Sequence, residues 1–376
     1  MKLLLTGGGT GGHVYPALAI AEALAGDGAF APLDVLFVGT RDGFEARIVP
    51  KAGLPMAFVH AAPLLRKFSL AFARTLVANT AGFFEALGIL HRFKPDVAIA
   101  TGGYVAFPVI AALRLVRALR LSSARIALLE ANAAPGLANR LLGPLVDEVW
   151  LTVAEPDRPL RKREVVTGTP VRASMLRPMA PERARLELGL DPQKTTIVVM
   201  GGSQGARSLN EAVAALIETR QVPGNWQLFW VSGERDFAAL AARAREARSG
   251  SAVRLTGYLD DPRAAYAAAD LVVARSGAST LGELAATGSP ALLVPYPYAT
   301  GDHQAHNAEV FRCAGAARVV ADRDLDAASL WDELQAALEP QVLAAMRTAA
   351  SRHGTDPRAA VLARVKQWLP AKNSIR

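Results

Sequence analysis

The chain has 376 residues, 51% hydrophobic and 20% charged, which excludes a disordered protein and is too long for one ordinary core, so two α/β domains are expected. Its single cysteine, Cys313, excludes an internal disulfide and a cysteine-based zinc site, and the six scattered histidines show no metal-ligand spacing, so neither metal nor cofactor is expected and a reducing compartment fits. The formal net charge of +8 suits an anionic surface or substrate, but no long basic run or aromatic–basic RNA motif is present, and nucleic acid is not expected as a partner.

Met1-Lys2 is followed by only three leucines before Thr6 and the glycines, which is not a signal-peptide pattern. Lys2–Thr6 reads as a short buried strand, Gly7–Gly12 as a glycine-rich turn, and Pro16–Leu24 as a helix with Pro16 in its first turn. Strand-like runs follow at Leu33–Val38, Asp96–Ala100, Arg125–Leu129 and Glu148–Val153, with helical stretches between most of them, including Leu70–Phe93. Val105–Leu119 is the most apolar stretch, but Arg114 and Arg117 interrupt it, so no membrane span is expected. The pattern restarts after residue 170: a strand at Thr195–Met200, a turn at Gly201–Gly205 and a helix at Leu209–Glu218. Strands then follow at Gln227–Val231, Val253–Thr256, Leu271–Ala274, Ala291–Val294 and Arg318–Val320. Gly168-Thr169-Pro170-Val171-Arg172 lies between the halves as a candidate hinge. Helical stretches near 326–339, 340–352 and 356–369 close the chain, the last a candidate to pack back onto the first domain. Short apolar strands alternating with helices imply two doubly wound parallel-sheet domains. They are residues 1–167, completed by a helix at 356–370, and residues 168–352.

Gly7-Gly8-Gly9-Thr10-Gly11-Gly12-His13 follows a strand and opens a helix. Glycines allow close backbone approach, and the free N–H groups of a helix start favour an anion, typically phosphate. Gly7-x-Gly9-x-x-Gly12 also matches the dinucleotide fingerprint, but the end of the second strand, Phe37-Val38-Gly39-Thr40, lacks the acid a nicotinamide cofactor wants. A P-loop would need Lys and then Ser or Thr where the chain has His13 and Val14; a tight turn with no ligand is the remaining alternative. Gly201-Gly202-Ser203-Gln204-Gly205-Ala206 repeats the logic, with Ser203 either bonding a diphosphate or capping the next helix. One loop per domain suggests two sites facing one crevice at the C-terminal ends of the sheets. Thr101-Gly102-Gly103-Tyr104 would lie at the same sheet edge as the first loop. Arg275-Ser276-Gly277-Ala278-Ser279-Thr280 precedes Glu283. Thr280-x-x-Glu283 is either a capping box or a helix start that cradles phosphate while Glu283 accepts from ribose hydroxyls.

Gly8-Gly9-Thr10-Gly11-Gly12-His13-Val14-Tyr15-Pro16-Ala17, Thr101-Gly102-Gly103-Tyr104-Val105, Gly201-Gly202-Ser203-Gln204-Gly205-Ala206 and Asp302-His303-Gln304 fall in one order. In that order and spacing the chain resembles, from about residue 2 to about residue 350, the MurG family of UDP-GlcNAc:undecaprenyl-pyrophosphoryl-MurNAc-pentapeptide transferases. The resemblance implies the GT-B fold, two Rossmann-like domains facing a central cleft. It implies inverting, metal-independent transfer of GlcNAc from UDP-GlcNAc to lipid I, giving lipid II in peptidoglycan synthesis. Carried onto this sequence, Thr10, Gly11, Gly12 and Tyr104 contact substrate from the N-terminal side, and Asn132 matches a donor-contacting asparagine. Arg172, Ser203, Gln204, Gly205 and Ser276 bind the donor from the hinge and second domain, with Glu283 on the ribose and Gln304 on the sugar hydroxyls. One departure stands out: where the family reads His-Glu-Gln-Asn, this chain has Leu129-Glu130-Ala131-Asn132, which removes two side chains from the acceptor region. Pro135-Gly136-Leu137-Ala138-Asn139-Arg140 still fits.

Inverting transfer needs a base for the acceptor hydroxyl and positive or dipolar groups for the departing UDP. His13, at a helix start that favours neutral imidazole, is the candidate base; capping the loop or binding phosphate is its alternative role. Glu130 is the second candidate base, and Arg172 with the second-domain helix starts would carry the leaving-group charge. A membrane-bound acceptor implies peripheral attachment to an anionic membrane surface, the cytoplasmic face of the bacterial inner membrane. Leu64–Lys94 offers Phe68, Leu70, Phe72, Leu76, Phe83, Phe84 and Leu87 with Arg66, Lys67, Arg74, Arg92 and Lys94 alongside; an ordinary core helix is the alternative. Other cell-wall enzymes are candidate partners. Rival readings are another GT-B glycolipid transferase, a UDP-GlcNAc 2-epimerase and a nicotinamide oxidoreductase.

Overall fold

Strands with apolar side chains on both faces need cover on both sides, and helical crossovers supply it. The computed structural model describes residues 1–63, 70–152, 163–202, 205–352 and 356–369. By its contacts the chain forms two units, Met1–Ala173 with Asp356–Arg376, and Ser174–Thr355.

The first unit is built on β1 (Lys2–Thr6), β2 (Asp34–Gly39), β3 (Met56–Phe58), β4 (Val97–Ala100), β5 (Arg125–Glu130), β6 (Glu148–Leu151) and β7 (Glu164–Val166). They pair in parallel in the order β3-β2-β1-β4-β5-β6-β7, so the strand order reverses between β1 and β4. The pleat divides the core. Leu4 joins Ile110, Leu113 and Leu90 on one face, while Leu3 and Leu5 join Val14, Ile20 and Leu24 on the other. The C-terminal helix Pro357–Trp368 completes this second face. Its Val361 and Val365 are fully buried, which stabilises the unit by roughly 3–6 kcal/mol, and Trp368 stacks on Trp150 at 5.6 Å. Arg364 of the same helix pairs with buried Glu148. Burial works against ionising Glu148, but hydrogen bonds from Arg364 and Trp150 and the charges of Arg364 and Arg163 outweigh it and hold the carboxyl below its ordinary value.

The second unit repeats the plan with β8 (Thr195–Met200), β9 (Trp226–Val231), β10 (Val253–Thr256), β11 (Leu271–Ala274), β12 (Ala291–Leu293) and β13 (Ala317–Val319), ordered β10-β9-β8-β11-β12-β13 and all parallel. Ile197 and Val199 face the larger core and Val198 the smaller one, again by alternation.

Several expectations need adjustment. β3 and β7 escape the sequence reading because each holds three residues on a sheet edge, too few for a hydrophobic pattern. Val153, the expected end of a strand, lies outside the described residues, and β6 closes at Leu151. The first helix spans Gly11–Ala25, starting inside the glycine run. Pro16 therefore sits within the helix and deprives the Gly12 carbonyl of its helical donor, instead of standing in the first turn. The helix Ala278–Thr287 has Gly277 as its N-cap with no side-chain cap, so Thr280 and Glu283 do not form a capping box.

Candidate functional site

In the first unit the predicted residues gather where the sheet order reverses. The helix Gly11–Ala25 leaves β1 there, and the loop Thr101–Tyr104 leaves β4. The two loops interlock around His13. Its Nδ1 lies 2.8 Å from the Thr101 carbonyl oxygen, and the Thr101 hydroxyl donates back to the His13 carbonyl at 2.7 Å. A carbonyl can only accept, so in the neutral ring Nδ1 carries the proton and Nε2 the lone pair. Gly103 makes the fit possible. Its φ is +83°, and an added Cβ would stand 2.4 Å from the Gly8 carbonyl oxygen and 3.2 Å from the imidazole.

The glycine loop rests on a carboxylate. Glu45 is fully buried and accepts from Gly9 N–H (3.1 Å), Thr40 N–H (2.9 Å) and the Thr40 hydroxyl (2.6 Å). One of the amides expected to cradle phosphate is thus already committed to an acid of the protein. Tyr104 lies against Gly9 and hydrogen-bonds to Thr40. Burial, then the nearby charge of Glu45, push its hydroxyl above the ordinary tyrosine value. Thr10 is exposed and caps the helix through its carbonyl, which accepts from His13 N–H and Val14 N–H. Gly11 and Gly12 form the half-buried first turn.

Glu130, at the end of β5, is 1% exposed. It accepts from Asn132 N–H (2.9 Å), Asn132 Nδ2 (3.2 Å) and Asn139 Nδ2 (2.7 Å). Burial nonetheless raises its pKa above the ordinary carboxylate value, against those hydrogen bonds. Leu129 and Ala131, which replace the family's His and Gln, are themselves buried. Arg172 belongs to this unit and places its guanidinium 5.3 Å from the Tyr15 ring, two residues beyond His13.

In the second unit the helix start at Gly277 lies after β11, at the corresponding reversal between β8 and β11. Ser276 is buried and donates to the Gln304 carbonyl at 2.7 Å, and Asn307 Nδ2 donates to the Ser276 carbonyl at 3.0 Å. Gln304 Oε1 accepts from Tyr296 N–H at 2.9 Å, which fixes the amide and leaves Nε2 on the side of Gly277. Glu283 accepts from the Tyr266 hydroxyl at 2.8 Å. Burial first, then Glu283, keep that phenol protonated well above its ordinary value. Gly205 backs onto the Ser232 carbonyl, 2.6 Å from where a Cβ would stand. Ser203 and Gln204 lie outside the described residues.

The structure therefore brings His13, Thr10, Gly11, Gly12 and Tyr104 together in one unit, and Ser276 and Gln304 in the other, with Glu283 on the helix that follows. Sequence reading passed over Glu45 and Tyr266, and it quoted Thr40 and Asn139 without giving them a role. Glu45 stands 36 residues from Gly9, and Tyr266 sits in an alanine-rich helix, so neither carries a local signal. Arg275 is also tied down, donating to Asp322 at 2.5 Å and to Ser208 at 2.7 Å. Among the described residues no group of three His, Cys, Asp or Glu side chains could hold a metal ion.

Comparisons with known proteins agree with this layout. Residues 3–151 match the glycosyltransferase family 28 N-terminal domain, and residues 196–361 match the glycosyltransferase family 28 C-terminal domain. The chain is 41% identical over 333 residues to a UDP-N-acetylglucosamine–N-acetylmuramyl-(pentapeptide) pyrophosphoryl-undecaprenol N-acetylglucosamine transferase of Halothermothrix orenii, covering 86% of this chain and 87% of that one. It is 39% identical to the protein of the same name from Desulforudis audaxviator over 377 residues, covering 96% and 95%. Among solved structures, MurG of Acinetobacter baumannii shares 26% identity at a TM-score of 0.76, covering 97% of this chain and 99% of that one.

Proposed function

The chain belongs to glycosyltransferase family 28, and we propose that it transfers GlcNAc from UDP-GlcNAc to lipid I, undecaprenyl-pyrophosphoryl-MurNAc-pentapeptide, giving lipid II for peptidoglycan synthesis. The observation that carries the chemistry is the bond from His13 Nδ1 to the Thr101 carbonyl, which presents Nε2 as a base. In the proposed reaction the acceptor hydroxyl oxygen attacks C1 of GlcNAc from the face opposite UDP. Its proton passes to Nε2, the C1–O bond to the diphosphate breaks, and the configuration at C1 inverts. The uncapped helix start at Gly277 and the Arg172 guanidinium would stabilise the negative charge gathering on UDP. Gln304 Nε2 would donate to the sugar hydroxyls and Glu283 would accept from the ribose, with Ser276 holding the Gln304 backbone. Thr10, Gly11, Gly12, Tyr104 and Asn132 would border the substrate from the first unit, Gly205 from the second. Glu130 is assigned a supporting role, since both oxygens bind Asn132 and Asn139.

Attachment to the cytoplasmic face of the membrane is part of this reading. Leu76, Val77 and Phe84 are exposed on the helix Leu70–Phe93, and Leu115, Leu119 and Leu121 are exposed on or just after the helix Ala106–Ala118 packed beside it. Arg74, Arg92, Lys94, Arg114 and Arg120 belong to the same two segments, the mix an anionic leaflet attracts. Phe83 and Leu87 pack against the core instead. Arg66, Lys67 and Phe68 lie outside the described residues. No described helix is long and apolar enough to cross a membrane.

The test is transfer of labelled GlcNAc to a lipid I analogue, run beside a donor-only tube. Label in the lipid fraction is expected. Epimerised sugar in the donor-only tube with no lipid product would replace this reading with the epimerase.

A further inference from the structure

The second unit contains a cavity of about 440 Å³ at the far end of the donor-side helix. Gly277 caps the start of that helix, while Ala286, Thr287, Gly288 and Ser289, at and beyond its C-terminal end, line the cavity, about 15 Å away along the axis. Four arginines and one carboxylate line it: Arg177, Arg185, Arg263 and Arg347 against Asp270. Arg185 is a fixed floor. It is 8% exposed and donates to the carbonyls of Ala268 (3.1 Å) and Pro192 (2.8 Å) and to Asp270 (2.8 Å). Asp270 also accepts from Thr196 N–H and from Arg347, so its charge is spent on groups already in place. Among the described residues Arg177 and Arg263 form no ion pair. Met175, Leu176 and Met179 add apolar side chains to the lining.

Four arginines lining a space far larger than an inorganic anion, together with methionine and leucine side chains, match a phosphate carried on an organic body. Tyr266 links this cavity to the proposed donor residues. Tyr266 lines the cavity, and its hydroxyl donates to Glu283 at 2.8 Å. We propose that the cavity is a second, regulatory site for an organic phosphate. Its occupancy shifts Tyr266 and the helix Ala278–Thr287, and so changes the affinity for the sugar nucleotide at the other end of that helix. The coupling rests on the donor-binding reading of Glu283; the anion site itself does not.

The experiment measures inorganic pyrophosphate binding by calorimetry on the full chain with the donor site filled by saturating UDP. Binding to the wild type that falls at least tenfold in R177S/R263S is expected, with an unchanged melting temperature showing that the variant folds. If that variant does not fold, R263Q alone serves. Absence of binding to the wild type, or binding untouched by the substitutions, overturns the site. For the coupling, pyrophosphate should change the UDP-GlcNAc KM at least fivefold in the wild type, and Tyr266→Phe should abolish that change while still binding pyrophosphate. A KM indifferent to pyrophosphate overturns the coupling. Failure of transfer to any lipid acceptor would instead strike the proposed reaction and leave the binding result standing. Vesicles of phosphatidylglycerol, added with and without pyrophosphate, separate the sources. Competition assigns the site to a lipid headgroup, and indifference assigns it to a soluble phosphate.

Discussion

The two units share a strand order and a glycine-rich turn after their first central strand, yet what packs behind each turn differs. In the first unit the turn lies on the buried carboxylate of Glu45, which takes the Gly9 amide, and it interlocks with Thr101–Tyr104 to hold one histidine in one tautomer. In the second unit the loop after β11, the counterpart of Thr101–Tyr104, opens a helix at Gly277; like the helix that starts after Thr10 it has no side-chain cap, but here Gln304 turns its amide nitrogen toward the helix start. A negative charge beneath a loop disfavours a phosphate there and suits proton transfer. A helix start with an amide donor beside it and no carboxylate behind it suits an anion. On the proposed function the loop after β1 would serve acid–base chemistry and the helix start after β11 would bind an anion, a difference set by residues distant in sequence.

The comparison breaks most visibly at His13. Substitution by Gln keeps a side chain of similar reach but removes the base, and turnover should fall about a thousandfold while UDP affinity, measured by calorimetry, stays within about threefold. Turnover that survives would move the proton acceptor elsewhere. The next effect separates the two loops on stability alone. Gly103 and Gly202 have nearly the same φ, +83° and +86°, but a Cβ at Gly103 meets the Gly8 carbonyl at 2.4 Å and one at Gly202 meets nothing within 4 Å among the described residues. Gly202→Ala should cost only the backbone strain, about 1 kcal/mol, and Gly103→Ala about 3 kcal/mol or more in urea unfolding. Equal costs would mean that the first loop is not tightly interlocked.

The alternation of strand and helix was legible because periodicity is local. Thr195–Met200, Val253–Thr256 and Leu271–Ala274 are strands with the boundaries their apolar runs suggest. The helix start at Gly11 was not, because glycine disfavours a helix interior and here the hydrogen bonds between His13 and Thr101 hold the first turn against that preference. Nor were the partners that define the site. His13 finds Thr101 across 88 residues, and Gly9 finds Glu45 across 36. A motif announces a loop; which group stands behind it depends on the strand order, which local pattern does not encode. The Thr280–Glu283 spacing, readable as a capping box, shows the reverse error, since the true cap is Gly277 and Glu283 is held by a tyrosine from another helix.

The smallest effect concerns Glu130, and it distinguishes a base from a scaffold. The carboxyl is enclosed, and burial raises its pKa above the ordinary value. The sign follows: a folded pKa above the unfolded one contributes stability that is fully present below the unfolded value and is lost as pH rises through the folded value. Asn139 bears on the neutral form. Its Oδ1 is buried with no hydrogen-bond partner among the described residues, while its Nδ2 donates to Glu130. If the amide turned over, that oxygen would accept a proton from a neutral Glu130 or from a glutamine. Glu130→Gln should therefore keep the Asn132 and Asn139 contacts, remove the loss of stability on the alkaline side of the carboxyl's titration, and lower turnover less than about tenfold. Urea unfolding across the pH range, with turnover measured on the same samples, checks both halves. A drop as deep as that of His13→Gln, with stability unchanged, would make Glu130 the proton acceptor and leave His13 to orient the loop.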